Sequence, residues 1–168
     1  LLYKLYLDFY MSEKLIVGSQ IPNFTLKDSD KNDVSPSNFK GKKLVVAFLP
    51  GAFTGVCDKE VCALQDNIDN LSKLNANIVA ITVDSIFVNK EFSKKYNLGF
   101  PVLSDYDRKV IELYGLGIEN FAGLPGYTAS NRAIYVSDEN GVIQYAWVAP
   151  NPGVEPNYNE IQNKLSSI

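Results

Sequence analysis

Apolar positions along the chain fall into two rhythms, short unbroken runs and longer stretches of helical spacing, and the two alternate. Leu44-Val45-Val46-Ala47-Phe48-Leu49 is a continuous apolar run of strand length. It closes on Pro50-Gly51 and so predicts a buried strand followed by a tight loop. Val61, Leu64, Ile68 and Leu71 then recur on one helical face, and Cys57 lies on the same stripe in the first turn. Asn77 to Val83 predicts a second buried strand, and Ile86 to Tyr96 a helix broken by Asn97-Leu98-Gly99-Phe100-Pro101. Val102-Leu103 reads as a short edge strand. Asp105 or Asp107 is placed to cap a helix through Val110, Leu113 and Tyr114. Earlier, Asn23 to Lys27 alternates as a half-buried strand, Asp28 to Asp33 is a polar turn, and Ser35 to Lys40 suits a short helical turn. Arg132 to Val136 and Val142 to Trp147 flank Asp138-Glu139-Asn140-Gly141, whose Asn-Gly pair signals a hairpin. A Pro- and Asn-rich loop, 150–157, leads to a final helix from Tyr158 to Leu165. Strands alternating with helices imply an α/β domain.

The first ten residues, Leu1 to Tyr10, break this pattern: they are aromatic and apolar, interrupted by Lys4 and Asp8. They are too short to span a bilayer and lack a small-residue cleavage site. Residues 1–13 are therefore expected to be an N-terminal extension, either an incidental tail or an arm packing on the body or on a neighbouring subunit. Residues 14–168 form the domain. A length of 168 residues is enough for one real core. The net charge of −3 gives no general attraction for nucleic acid or an anionic membrane.

Histidine is absent, which excludes Ser-His-Asp and Cys-His catalysis and nearly all histidine-dependent metal sites. Two cysteines cannot close a zinc site or form a disulfide scaffold, so a cytosolic setting fits. Candidate chemistry gathers at Cys57. A thiol in the first turn of a helix faces unpaired N–H groups and the positive end of the dipole, and both favour thiolate. The bland alternative is a buried, inert thiol.

The string Pro50-x-x-x-Thr54-x-x-Cys57 resembles the active-site motif of the peroxiredoxins, and the resemblance runs from about Val17 to the C-terminus. Glu60 stands where many members carry an acidic residue. Cys62 gives a Cys-x4-Cys spacing similar to the peroxiredoxin Q (bacterioferritin-comigratory) subgroup. The local string Ala52-Phe53-Thr54-Gly55-Val56-Cys57 also resembles one-Cys and type-5 members.

The resemblance implies a thioredoxin-like fold, with a central mixed sheet, helices on both faces and an N-terminal hairpin. It implies a thiol-dependent peroxidase with no metal or other cofactor. Cys57 would attack the peroxide, with Thr54 hydrogen-bonding near sulfur and substrate, and Pro50 shaping and shielding the loop. Of the two arginines, Arg132 matches the family pattern of an arginine opening the strand before an acidic hairpin, while Arg108 reads as a solvated helix start. Glu60 would orient Arg132. The plainer alternatives are N-capping for Thr54, a surface salt bridge for Arg132, and a first-turn carboxylate favoured by the dipole for Glu60.

Cys62 poses a geometric problem. Five helical residues turn a side chain by about 500° and separate Cα atoms by roughly 8.5 Å, beyond the ~7 Å limit for a disulfide. If Cys62 resolves the Cys57 sulfenic acid, the helix must unwind in each cycle; otherwise an external thiol completes turnover. The expected partners are a peroxide, a thioredoxin-like or other dithiol reductant, and a second copy of the chain pairing through Phe53, Phe121 and Tyr127. No nucleic acid or membrane is expected. A thiol–disulfide oxidoreductase is disfavoured because Cys-x4-Cys replaces Cys-x-x-Cys. A redox-inert, chaperone-like binding protein on the same fold is opposed by the retention of Thr54, Cys57 and Arg132.

Overall fold

The computed structural model describes residues 16–168, so the extension expected over residues 1–13 and the boundary at residue 14 lie outside the described residues. Seven strands form one mixed sheet in the order β2-β1-β5-β4-β3-β8-β9. In chain order these are β1 (Leu26–Lys27), β2 (Asp33–Val34), β3 (Lys43–Phe48), β4 (Ala76–Thr82), β5 (Val102–Ser104), β8 (Ala133–Ser137) and β9 (Ile143–Val148). A separate two-stranded ribbon pairs β6 (Gly117–Ile118) with β7 (Ala129–Ser130). The helices are α1 (Gly55–Asp66), α2 (Ile68–Lys73), α3 (Ile86–Lys95), α4 (Lys109–Leu113) and α5 (Tyr158–Ser167).

β3 is central because it is apolar on both faces, as its unbroken run demands. Val45, Ala47 and Leu49 pack with Val61 and Leu64 of α1, Leu71 of α2, Phe92 of α3, and Ile161 and Leu165 of α5. Leu44, Val46 and Phe48 face the other way, onto Val110 and Ile111 of α4 and onto Tyr114 and Tyr135. Each such side chain contributes about 1.5–3 kcal/mol by leaving water. On the α4 side, Phe48, Tyr114 and Tyr135 form a ring cluster with centroids 4.8–6.0 Å apart. The Tyr114 hydroxyl donates to the Pro22 carbonyl at 3.0 Å, satisfying its buried polar end. Helices thus cover both faces, and β1 and β2 form the N-terminal hairpin.

Several elements differ from the sequence pattern: the strand expected over Asn23 to Lys27 is paired only at Leu26–Lys27, Asp33 belongs to β2 rather than to the turn, and the β6–β7 ribbon has no counterpart in the apolar pattern. Val102-Leu103 is not at an edge: β5 lies between β4, in parallel register, and β1, antiparallel. The long helix expected through Leu71 breaks at Asn67, whose side-chain N–H donates to the Ala63 carbonyl at 2.8 Å and competes with the main-chain ladder. Arg108 holds the N-cap position of α4, and both carboxylates serve its first turn: Asp105 accepts from the Val110 and Ile111 N–H groups at 3.1 and 2.8 Å, and Asp107 from the Lys109 N–H at 3.4 Å.

Candidate active site

The site forms where β3 ends and α1 begins. The Leu49 N–H still donates to the Ile81 carbonyl at 2.9 Å, and then buried Pro50, with no N–H to offer, turns the chain out of the sheet. The turn Gly51–Thr54 is tied at two points. The Ala52 N–H donates to Asp84 Oδ2 at 2.8 Å, and Thr54 Oγ1 donates to the Gly51 carbonyl at 3.0 Å. Between them Phe53 adopts a left-handed φ of 62°, unusual for a side chain of its size. Its ring rests edge-on against Phe92 of α3, with centroids 5.3 Å apart.

Thr54 is the N-cap residue of α1 and Cys57 the third helical residue. The helix ladder starts with the Asp58 N–H on the Thr54 carbonyl, so it leaves the N–H groups of Gly55, Val56 and Cys57 without helical acceptors. Cys57 is fully buried and faces Arg132, which immediately precedes β8, the antiparallel neighbour of β3. Arg132 Nη2 donates to Cys57 Sγ at 3.3 Å. Its Nη1 donates to Glu60 Oε2, one helical turn beyond Cys57 on the same face. The Pro152 carbonyl accepts from both Nε, at 3.1 Å, and Nη2, at 3.0 Å.

A guanidinium that is only 1% exposed is costly unless its N–H groups are met, and here they are met by sulfur, a carboxylate and a carbonyl. Burial alone would lower the affinity of Arg132 for its proton; Glu60 and Cys57 beside it more than offset this and hold it in the charged form. Glu60 balances differently. Burial pushes its pKa up to about 7, against the pull of Arg132, and Glu155 adds to the rise. Its second oxygen, Oε1, is buried with no hydrogen-bond partner among the described residues. The carboxyl is therefore poised between its two protonation states near neutral pH.

Of the residues singled out from sequence, Cys57, Glu60 and Arg132 meet directly, and Pro50 is buried at the head of the turn. Thr54 makes no hydrogen bond to the sulfur; its hydroxyl donates to the Gly51 carbonyl, which leaves oxygen lone pairs to accept, and it makes no side-chain cap. Glu60 lies in the second turn rather than the first, so its place owes more to Arg132 than to the dipole. Arg132 is no surface salt bridge. Cys62 is half-buried on another side of the unbroken α1, and both thiols are free. Burial holds its thiol proton more tightly than usual, and the carboxylates of Asp66 and Asp58, one turn away on either side, add to this.

Arg108 is not a simple solvated helix start. It donates to the Thr128 and Tyr106 carbonyls and lies over the Tyr127 ring, tying the 117–130 segment to α4. Of the three aromatics expected to be exposed, Phe53 is, whereas Phe121 and Tyr127 are half-buried and packed against each other. Two site groups had gone unread in the sequence, Asp84 and the Pro152 carbonyl. Asp84 had a signal, its place at the end of a buried strand; a carbonyl has none.

Residues 17–146 match the AhpC/TSA family. A rice (Oryza sativa subsp. japonica) protein named peroxiredoxin Q, chloroplastic, is 42% identical over 134 residues, which is 80% of this chain and 59% of the relative. The chain thus spans about three fifths of the length of that curated relative. A Coxiella burnetii protein whose name places it with peroxiredoxin bcp is 34% identical over 149 residues, 89% of this chain and 97% of its own length. The crystal structure of a peroxiredoxin-like protein from Aquifex aeolicus superposes with a TM-score of 0.81 at 25% identity, covering 92% of this chain and 88% of that one. No helix among the described residues is long and apolar enough to cross a membrane.

Proposed function

Because the chain belongs to the AhpC/TSA family, we propose that it is a thiol-dependent peroxidase acting on hydrogen peroxide and organic hydroperoxides at Cys57. The observation that carries this reading is the 3.3 Å contact of Arg132 Nη2 with a buried sulfur in the first turn of α1. The guanidinium and the free helix N–H groups set positive charge and hydrogen-bond donors around this one sulfur. The thiolate attacks one peroxide oxygen, a sulfur–oxygen bond forms and the oxygen–oxygen bond breaks. The electron pair leaves on the second oxygen, which takes a proton from solvent and departs as water or alcohol. Sulfur is oxidised by two electrons to a sulfenic acid, and the peroxide is reduced by two.

Arg132 stabilises the charge that develops on the leaving oxygen, Thr54 accepts a hydrogen bond from the incoming peroxide, and Pro50 keeps water from the sulfur. Glu60 and the Pro152 carbonyl hold the guanidinium in place. Cys62 then attacks the Cys57 sulfenic sulfur; a disulfide forms and the hydroxyl leaves as water. With about 8.5 Å between Cα atoms on an intact helix, α1 must unwind for this step. A thioredoxin-like or other dithiol reductant restores both thiols, its own pair becoming the disulfide. The setting for this cycle is a reducing compartment such as the cytoplasm, and the exposed Phe53 suits pairing of two copies across the active-site loops.

The test is a thiol count. The reduced protein, freed of reductant, receives one equivalent of peroxide, and thiols are titrated after denaturation. Loss of both thiols within one chain is the expected result. Loss of one makes the enzyme a one-Cys peroxidase served by an external thiol. Survival of both, with the peroxide intact, overturns the reading.

A further inference from the structure

Three polar side chains lie buried beneath the active-site turn and serve no part of the mechanism above. Thr82 at the end of β4, Asn89 in α3 and Ser104 at the end of β5 are 0%, 0% and 1% exposed. Burying such groups is costly unless they are bonded; their oxygens are bonded in one network beside Asp84, while Asn89 Nδ2 has no hydrogen-bond partner among the described residues. Thr82 Oγ1 donates to Asn89 Oδ1 at 2.8 Å and accepts from the Asp84 N–H at 3.1 Å. Ser104 Oγ donates to the Asp84 carbonyl at 2.5 Å. The backbone of Asp84 is thereby fixed on both sides, and its carboxylate points at the catalytic turn, where it accepts from the Ala52 N–H at 2.8 Å.

The turn needs such a tie. Phe53 follows Ala52 in the left-handed region, a conformation that persists only where its surroundings impose it. Helix α3 supports the same turn twice, through Asn89 in this network and through Phe92 under the Phe53 ring. Thr54, next along, starts α1 and so sets where Cys57 stands.

We propose that Asp84 is a positioning residue of the active site: braced by Thr82, Asn89 and Ser104, its carboxylate holds the Gly51–Thr54 turn, and through it the start of α1, in the form that reacts with peroxide. The hydrogen bond favours the folded turn over the unwound one, so Asp84 also sets how readily Cys57 leaves Arg132 to meet Cys62. This inference rests on the peroxidase reading for its rate effects and on geometry alone for the tie itself.

The experiment compares wild type, Asp84→Ala and Asp84→Asn by amide hydrogen exchange and by stopped-flow oxidation of Cys57. In Asp84→Ala, exchange at Ala52 is expected to quicken at least ~10-fold and to spread into the first turn of α1, while amides in β3 stay protected. Cys57 oxidation slows by ~10–100-fold, and condensation of its sulfenic acid with Cys62 speeds up, because a loosened turn misplaces the sulfur and opens the helix. A general loss of stability would not leave the β3 amides protected. Asp84→Asn keeps an acceptor oxygen and is expected to restore most of the protection and rate; an effect of charge alone would persist in that variant and overturns the proposal. Unchanged Ala52 exchange in Asp84→Ala overturns it as well, whatever the activity. A wild-type protein that consumes no peroxide removes the peroxidase reading, while the exchange result still decides whether Asp84 holds the turn.

Discussion

Cys57 and Cys62 stand five residues apart on one helix and occupy opposite surroundings. Cys57 is sealed from solvent against a guanidinium, in the turn where helix N–H groups are free. Cys62 is half-exposed and lies between the carboxylates of Asp66 and Asp58. The same element thus directs positive charge to one thiol and negative charge to the other. The Cys62 thiolate is disfavoured for as long as the helix holds, while Cys57 has a guanidinium and free helix N–H groups at its sulfur. Peroxide reacts with thiolates, so the two roles follow from where each sulfur sits. The second thiol comes into play only when the helix opens and carries it out of that acidic setting.

The difference between the two thiols depends most on Arg132. Arg132→Ala strips Cys57 of its cation and leaves Glu60 buried and unpaired. We expect oxidation of Cys57 to fall by ~10³-fold and stability by about 3–5 kcal/mol, read by stopped-flow kinetics and thermal melting. Arg132→Lys keeps the charge but loses the fork that serves sulfur, Glu60 and Pro152 together, and it is expected to lose ~10²-fold in rate. Cys62→Ser tests the other side. The first oxidation of Cys57 should change by less than ~2-fold, while turnover with a dithiol reductant falls by at least ~10-fold, because no intramolecular disulfide forms.

Glu60→Gln sharpens the comparison through pH. The native carboxyl has a pKa of about 7 against an ordinary 4.5, so the folded state binds the extra proton between these values. The stability this contributes is full below pH 4.5 and is lost as pH rises through about 7. Integrated over that window it is on the order of 3 kcal/mol. Wild type is therefore expected to lose stability from pH 4.5 to 7.5 relative to Glu60→Gln, in paired denaturant titrations. Parallel pH curves for the two proteins would contradict it. The smallest effect is expected at Asp66→Asn. Removing the carboxylate that raises it more lowers the pKa of the Cys62 thiol, and its alkylation in the folded protein should quicken by ~2–3-fold at pH 8, with Cys57 unaffected.

Much of this arrangement was legible because it is written locally. The apolar run Leu44–Leu49 can only be a strand buried on both faces. The Pro-x-x-x-Thr-x-x-Cys spacing fixes a sulfur in the first turn of the helix that follows. What depends on distant chain was not legible. Val102-Leu103 reads as an edge because nothing local announces that β1 will pair on its far side. Asn67 breaks the long helix through a side-chain bond to Ala63 that apolar periodicity cannot register. The bond from the Thr54 hydroxyl to the Gly51 carbonyl, which closes the turn, has no signature in the residue spacing. The Pro152 carbonyl, which takes two N–H groups of Arg132, belongs to the backbone and has no residue-type signature. Asp84 stands between the strand ending at Val83 and the helix starting at Ile86, and only the folded chain brings it to Ala52.

Surroundings, and not residue type, make Cys57 the thiol that peroxide finds. The most direct test is to expose the reduced, folded protein to less than one equivalent of hydrogen peroxide with a sulfenic-acid trap present, and to map the adduct by peptide mass spectrometry. The account predicts adduct at Cys57 with Cys62 unlabelled, and the same site labelled in Cys62→Ser. Adduct on Cys62, or equal labelling of the two, would contradict it.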